Sequence, residues 1–337
     1  MKGHGMTHKI LSHGAIALPF VVVRDWAKTS PHYEDHGRVE PDGSLVLTFG
    51  AGEVGMTPDG AETRLWIGAQ DAAGAQVLRD FINQTAAEAG VAIRWRERFT
   101  PGRPVNLSLG RVTAIRRISP AFRRVEVEGP DIARLLGGGL HFRLLIGPKG
   151  AGWPTIDTAG LTQWDGGIGA WHRPVYTIRT ISETGGIGFD IFLHEGGRVS
   201  QWSEALHIGD EVALMGPSGG DIPADPGWIG LFGDETALPA LARILAALPA
   251  GARGQADILV PEAADIQPLP HPAGVRLNWL LRSDGGDLLA ALADMTPPEA
   301  GRFVFFAAGK TETTAARRIL EGRGFGKKEF WAMAYWQ

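Results

Sequence analysis

The feature that most narrows what this chain can fold into is a change of grammar near residue 216. From Leu107 to about Met215 there are six short strand-like runs, GRVTAIRRI, FRRVEVEG, HFRLLIGP, VYTIRTI, GFDIFLH and DEVALMGP, punctuated by Gly and Pro. Such a series fits a small antiparallel barrel. After GPSGGDIPADPG the pattern alternates strand and helix: WIGLFG, TALPALARILAAL, ADILV, VRLNWLL, GDLLAALADM, RFVFFAAG, TTAARRILEGRG. That alternation predicts a doubly wound, mostly parallel α/β sheet.

Residues 1–99 read as a separate α/β module. LVLTFGAG and TRLWIGA have strand composition and are broken by PDG turns at 41–43 and 58–60. Between Asp71 and Ala89, the positions Ala75, Leu78, Phe81, Ile82 and Thr85 recur at helical spacing, with Gly90 as the expected C-cap. VAIRWRER closes the module as a strand, and TPGRP at 100–104 is the expected linker. The sequence thus divides into a module at 1–99, a barrel domain at 105–220 and a sheet domain at 227–337. The stretch Lys149–Trp171, rich in Gly, Trp and Thr, shows no period and is expected to form a long loop near a cofactor.

The chain of 337 residues contains no cysteine, which removes disulfides, thiolate nucleophiles and cysteine-held clusters or zinc. Any redox centre must be a bound organic cofactor or a metal held without cysteine. The net charge of −4 gives no global footprint for nucleic acid or an anionic membrane. The charge is uneven, since seven Lys/Arg against three Glu from Gly301 to Gln337 make that end +4 and leave −8 on the rest. No signal-peptide h-region or bilayer-length apolar run occurs, so a cytoplasmic protein without membrane insertion is expected.

Between Arg173 and Trp202 lies a Tyr-Thr strand, RPVYTIRT, followed about twenty residues later by a Gly-rich turn into a helix, HEGGRVSQW. That order suits a flavin, whose ring needs an aromatic face and a hydroxyl near N5, and whose pyrophosphate needs cations and free N–H groups. Tyr176 and Thr177 supply the face and the hydroxyl, and Arg179 a cation. Gly196 and Gly197 let backbone approach an anion, Arg198 adds charge beside Val199 in the same cofactor-binding turn, and Ser200 is expected to cap a helix through Trp202 and Leu206. His194 is a further candidate. The plainer alternatives are an amphipathic strand with one core Tyr and a turn needing only flexibility.

GDETALPA, from Gly233 through Asp234, Glu235, Thr236 and Ala237, begins where an apolar strand ends and a helix starts, which is where ligands sit in open α/β sheets. Asp234 or Thr236 is the expected cap. Lys310 and Arg317, seven apart, share a helix face with Arg318 adjacent, and form either a rim for an anionic substrate or a solvated basic face. Five of ten histidines, at 4, 8, 13, 32 and 36, fall early, and His32 and His36 have i, i+4 spacing; no third metal ligand is evident.

These blocks, with FFAAGKTETTAARRIL and the closing AYWQ, resemble the siderophore-interacting proteins, flavin-dependent ferric-siderophore reductases of the ferredoxin-reductase-like superfamily. The resemblance covers residues 105 to 337. It implies FAD on Tyr176 and Thr177, NADPH or NADH at Gly233–Ala237, and a ferric siderophore as substrate. It also implies electron transfer from nicotinamide through flavin to Fe³⁺, with no general acid–base residue. The family strand is Arg-x-Tyr-Ser/Thr, whereas Arg173 stands one position further from Tyr176, which leaves the cationic role to Arg173 or Arg179. The family usually has Glu where Lys310 stands. A generic flavin, quinone or electron-carrier reductase, and an iron-responsive sensor using the early histidines, are the competing readings. Residues 1–99 resemble a module of unknown function sometimes fused to such reductases.

Overall fold

The computed structural model describes residues 10–29, 33, 37–137, 139–219 and 227–337. His4, His8, His32 and His36 lie outside the described residues. The chain forms two compact units, one of Met1–Ser108, Arg143–Val175 and Ala213–Gly219, the other of Leu109–Phe142, Tyr176–Val212 and Gly220–Gln337.

In the first unit, β1 (Ile10–Ile16), β2 (Gly37–Val39), β3 (Leu45–Phe49), β4 (Gly52–Asp59), β5 (Glu62–Ala69) and β6 (Ile93–Trp95) form a sheet of order β2-β3-β4-β5-β1-β6. Helices α1 (Phe20–Thr29) and α2 (Ala72–Glu88) contribute Val23, Leu78 and Ile82 to a core with Ile16, Leu45, Val54, Leu65 and Ile67. Asp71 caps α2 by accepting the Gly74 N–H at 2.7 Å, and Gly90 follows its end in the left-handed region.

The stretch Lys149–Trp171 is more ordered than its composition suggests. It contains a small hairpin of β10 (Thr155–Ile156) and β11 (Thr162–Gln163). Helix α2 holds it: Gln76 Nε2 donates to the Gly160 carbonyl at 2.9 Å, and Asp80 accepts the Thr162 N–H at 3.1 Å and its hydroxyl at 2.6 Å. Gly160 has φ +74°, and a Cβ there would meet the Phe99 ring at 2.6 Å, so both conformation and space require glycine. The order comes from polar pairing with a segment eighty residues earlier, which no local period records.

Strands β7 (Leu107–Ser119), β8 (Phe122–Glu128), β9 (His141–Leu145), β12 (Val175–Thr177), β13 (Thr180–Ile181), β14 (Ile187–Phe192) and β15 (Glu211–Ser218) form a seven-stranded sheet of order β12-β9-β15-β7-β8-β14-β13. The run VYTIRTI, expected as one strand, is two. Ile178 N–H bonds the Leu140 carbonyl at 2.9 Å, whereas Arg179 N–H bonds the Gly188 carbonyl at 2.7 Å, so neighbouring residues pair in opposite directions and the strand bends between them. A short helix, α3 (Arg198–Glu204), follows β14.

The C-terminal sheet is fully parallel, with order β18-β17-β16-β19-β20 for β16 (Trp228–Gly233), β17 (Gly254–Val260), β18 (Val275–Leu281), β19 (Arg302–Gly309) and β20 (Phe330–Trp336). Helices α4 (Leu238–Ala247), α5 (Leu288–Asp294) and α6 (Lys310–Gly322) complete it. Successive residues of β16 and β19 serve opposite faces. Ile229, Leu231, Phe303 and Phe305 join α4 in one core, while Phe232, Val304 and Phe306 join Leu292, Ala316 and Leu320 in the other. The antiparallel sheet beside a doubly wound parallel sheet is the expected architecture.

Candidate functional site

Thr177, at the end of β12, is buried, and its hydroxyl lies 3.1 Å from Nδ1 of His141. On the other side of the imidazole, Nε2 lies 3.3 Å from the hydroxyl of Tyr335 on β20. A neutral imidazole has one donor and one acceptor, which suits a bridge between two hydroxyls. Burial, followed by the positive charge of Arg243, holds the His141 pKa below its ordinary value, while a backbone hydrogen bond with Tyr176 works the other way. The ring of Tyr176 packs on Phe142 and Phe189, with centroids 6.5 and 5.5 Å away. Burial raises the phenol pKa of Tyr176, and that of Tyr335 likewise with Asp234 adding to it.

The cations around this strand are unequally matched. Asp190 on β14 is buried and takes a bidentate pair from Arg124 at 2.6 and 2.8 Å. Among the described residues Arg179 has only the same carboxylate, at 3.5 Å, and its buried Nε makes no hydrogen bond. Arg243 on α4 donates to the Ile178 carbonyl at 3.0 Å. Two guanidinium groups, Arg124 and Arg179, therefore share one carboxylate beside β12, and Arg243 adds a third cation that reaches a backbone carbonyl. Burial lowers the pKa of both Arg179 and Arg243, as expected of cations short of counter-charge. Arg173 belongs to the other compact unit, where its guanidinium lies 5.2 Å over the Trp164 ring.

At the turn before α3, Gly196 has φ +74° with open space where a Cβ would point, and Gly197 passes under the imidazole of His194, which a Cβ would meet at 2.7 Å. His194 stacks on Phe192 at 6.0 Å and is exposed, as is Arg198. Ser200 does not cap the helix as expected. Gly197 is the N-cap, and Ser200 Oγ, buried in the first turn, instead accepts the His194 N–H at 3.1 Å and so closes the turn. The helix ends at Glu204, short of Leu206; Val199 is buried and Trp202 half-buried.

At the β16–α4 turn, Asp234 is buried and its Oδ1 accepts the Thr236 N–H at 2.9 Å, the Thr236 hydroxyl at 2.6 Å and the Ala237 N–H at 3.3 Å. Its Oδ2 accepts Trp336 Nε1–H at 2.7 Å, which ties the AYWQ terminus to this turn. Glu235 is held by Arg282 Nε at 3.1 to 3.2 Å, and burial raises its pKa. At Gly233 a Cβ would meet Ala237 and Leu241 at 2.8 Å, so that glycine serves close helix–strand packing. Pro239 stands in the first turn of α4.

Lys310 opens α6 and is exposed, as are Arg317 and Arg318. Arg317 donates to the Ala332 carbonyl at 3.2 Å. His13, the one early histidine among the described residues, lies 3.6 Å from Glu97.

His141, Arg243, Arg124 and Asp190 were not picked out from sequence. A His that begins an otherwise apolar strand, HFRLLIG, was the available signal for His141; Arg243 and Arg124 had none, since each looks like a surface cation on its own element.

Residues 111–221 match the family described as siderophore-interacting FAD-binding domain, and residues 226–337 match the family described as siderophore-interacting protein. The chain is 27% identical over 237 residues to the ferric vibriobactin reductase of Vibrio cholerae, covering 65% of this chain and 85% of that one. It is 27% identical to the NADPH-dependent ferric-chelate reductase of Escherichia coli, covering 67% of this chain and 91% of that protein. A siderophore utilization protein from T. fusca superposes with a TM-score of 0.59 at 27% identity, over 72% of this chain and 95% of that one. The siderophore-interacting protein of Aeromonas hydrophila does so with a TM-score of 0.58 at 27% identity, over 69% and 92%.

Proposed function

Because residues 111–337 belong to the siderophore-interacting protein family, an FAD-binding oxidoreductase family, we propose that this protein reduces ferric iron held by a siderophore, drawing electrons from NADPH or NADH through FAD. The observation that carries this reading is His141, bonded on one side to Thr177 and on the other to Tyr335. It ties the hydroxyl of the flavin-type strand to the terminal strand of the nucleotide-type sheet.

The residues fit an FAD. Arg179 has a buried Nε without a hydrogen bond, Arg124 and Arg179 share one carboxylate, and Gly196 leaves open space at the turn before α3. Arg179, Arg243 and the Gly196–Arg198 turn would hold the pyrophosphate, and Tyr176 and Thr177 the ring. Bound FAD would supply the conversion of a two-electron hydride from nicotinamide into single electrons for Fe³⁺, whose reduction weakens hard oxygen donors and frees iron as Fe²⁺.

The chain's own residues position and insulate. Thr177 keeps its hydroxyl oriented through His141, and the neutral imidazole passes that constraint to Tyr335. Asp234 fixes the β16–α4 turn and Trp336 together, so the nicotinamide-side loop enters pre-formed. Lys310, Arg317 and Arg318 place positive charge on one helix, where an anionic ferric chelate would be drawn.

The test is an anaerobic visible spectrum of the purified protein, before and after NADPH or NADH and then after a ferric siderophore with a ferrous trap. Flavin bands that bleach and return as Fe²⁺ forms support the reading. Bands that bleach but ignore ferric chelates turn it into a generic reductase, and no flavin after FAD addition overturns it.

A further inference from the structure

The first compact unit contains a cleft of about 980 Å³ that the flavin reading does not use. That volume lies at the upper end of small-molecule sites. Helix α2 lines it with Val77, Phe81 and Ala87, and Ile168, Met215 and Pro217 add further apolar lining. The cleft is therefore apolar over part of its lining and could not hold a fully hydrated ion to advantage.

Its charged groups are few and mismatched. Two of its lining residues are cations, Arg143 and Arg173, and no carboxylate pairs with either among the described residues. Arg143 donates only to the Arg173 carbonyl, at 3.1 Å. The Arg173 Nε is buried without a hydrogen-bond partner, and its pKa is lowered by burial and by the charge of Arg143. The one acid of the lining, Asp80, is engaged by Thr162 and Gln76, and burial raises its pKa. At another point, Asn106 is 1% exposed, and its Oδ1 also has no partner. Among the described residues of this unit, these two are the buried side-chain atoms left unsatisfied, and both line the same cleft. Buried polar groups are ordinarily satisfied, and leaving one unpaired costs about 1–3 kcal/mol. Trp164 adds a flat face under Arg173, and its ring also meets Trp171 edge-on at 5.4 Å.

We infer that this cleft is a binding site for a small organic oxyanion: a phosphate or carboxylate carried on a flat ring that also bears a hydrogen-bond donor. The oxyanion lies between Arg143 and Arg173, a pairing guanidinium groups make in bidentate form. The ring fills the space between α2 and Pro217, and its donor meets Asn106 Oδ1. The N-terminal module acquires a role by this route, because α2 lines the cleft. The inference does not depend on the flavin reading.

Two sources share this chemistry, a free adenosine phosphate and a free aryl carboxylate. Calorimetric titration of the full chain with ADP and with 3-hydroxybenzoate, each before and after loading with FAD, separates them. The expected result is one-to-one binding of at least one probe. Arg173→Met should weaken it roughly ten- to a hundredfold, as loss of charged hydrogen bonds does, and Ala87→Trp, on the exposed face of α2, should abolish it by filling the cleft. ADP binding that FAD loading abolishes assigns the ADP to the flavin site and overturns the inference. Binding indifferent to FAD identifies a separate ligand, and a protein that takes up no FAD still reports through the unloaded arm. No binding of either probe, or binding unmoved by both substitutions, overturns the inference.

Discussion

Helices α2 and α6 are both amphipathic and treat their polar residues in opposite ways. On α2, Gln76 and Arg79 are buried, at 4% and 2% exposed, and Arg79 sits over Trp95 and Phe99 at 4.2 and 4.6 Å while bonding Ser12. On α6, Lys310 and Arg318 face water, and Arg317 reaches only a backbone carbonyl. A cation turned inward binds elements of its own protein together, whereas one turned outward is free to act on something else. Residue type does not distinguish the two; the partners do.

The comparison breaks most readily at Arg79. Arg79→Met should cost about 3 kcal/mol, at the low end for removing one partner of a buried ion pair because Glu97 is 31% exposed and partly solvated. Hydrogen exchange should quicken in α2 and in residues 155–163; unchanged exchange in both would show that Arg79 binds nothing together. Next in size is Tyr176→Ala, which removes a ring from Phe142 and Phe189 and should cost about 2–3 kcal/mol. It should also lower FAD content after purification, and a variant that retains full FAD would remove Tyr176 from the site.

Much of the architecture was legible because it is written in local period. The alternation of apolar strand runs with helical runs after residue 216 and the 3.6-residue stripe of α2 need no knowledge of the rest of the chain. What was not legible depends on pairing across long separations. Asp80 with Thr162, Arg124 with Asp190, and His141 with both Thr177 and Tyr335 join residues 36 to 194 apart. Ser200 failed as a cap for a related reason: its hydroxyl had a nearer N–H, at His194, on the folded-back side of the turn. The break at Ile178 likewise reflects two neighbouring strands rather than any breaker residue.

His141 sharpens the contrast between inward and outward polar groups through pH. Its folded-state pKa is lowered from 6.5, so the unfolded chain binds the proton more tightly. Its contribution to stability is fully present above about pH 6.5 and is lost as pH falls from there through the lowered folded value. His141→Phe should cost about 1–2 kcal/mol for the unpaired hydroxyls and flatten that acid limb. A limb of unchanged steepness would mean another group titrates there.

The smallest effect on stability is expected on α6, and it is the most informative about function. Arg318→Ala should change stability by less than about 0.5 kcal/mol, since the side chain is exposed and nothing buried loses a partner. If α6 draws an anionic chelate, the KM for a negatively charged ferric siderophore should rise severalfold at low salt. The rise should fade as ionic strength shortens the screening length, and kcat should stay level because the residue touches no reacting atom. A neutral ferric chelate serves as the control, since attraction by charge predicts no rise for it. Equal KM changes for both chelates would point to packing of the helix. No change for either would leave α6 with a solvated face, and the cations that matter would then be the inward ones beside β12.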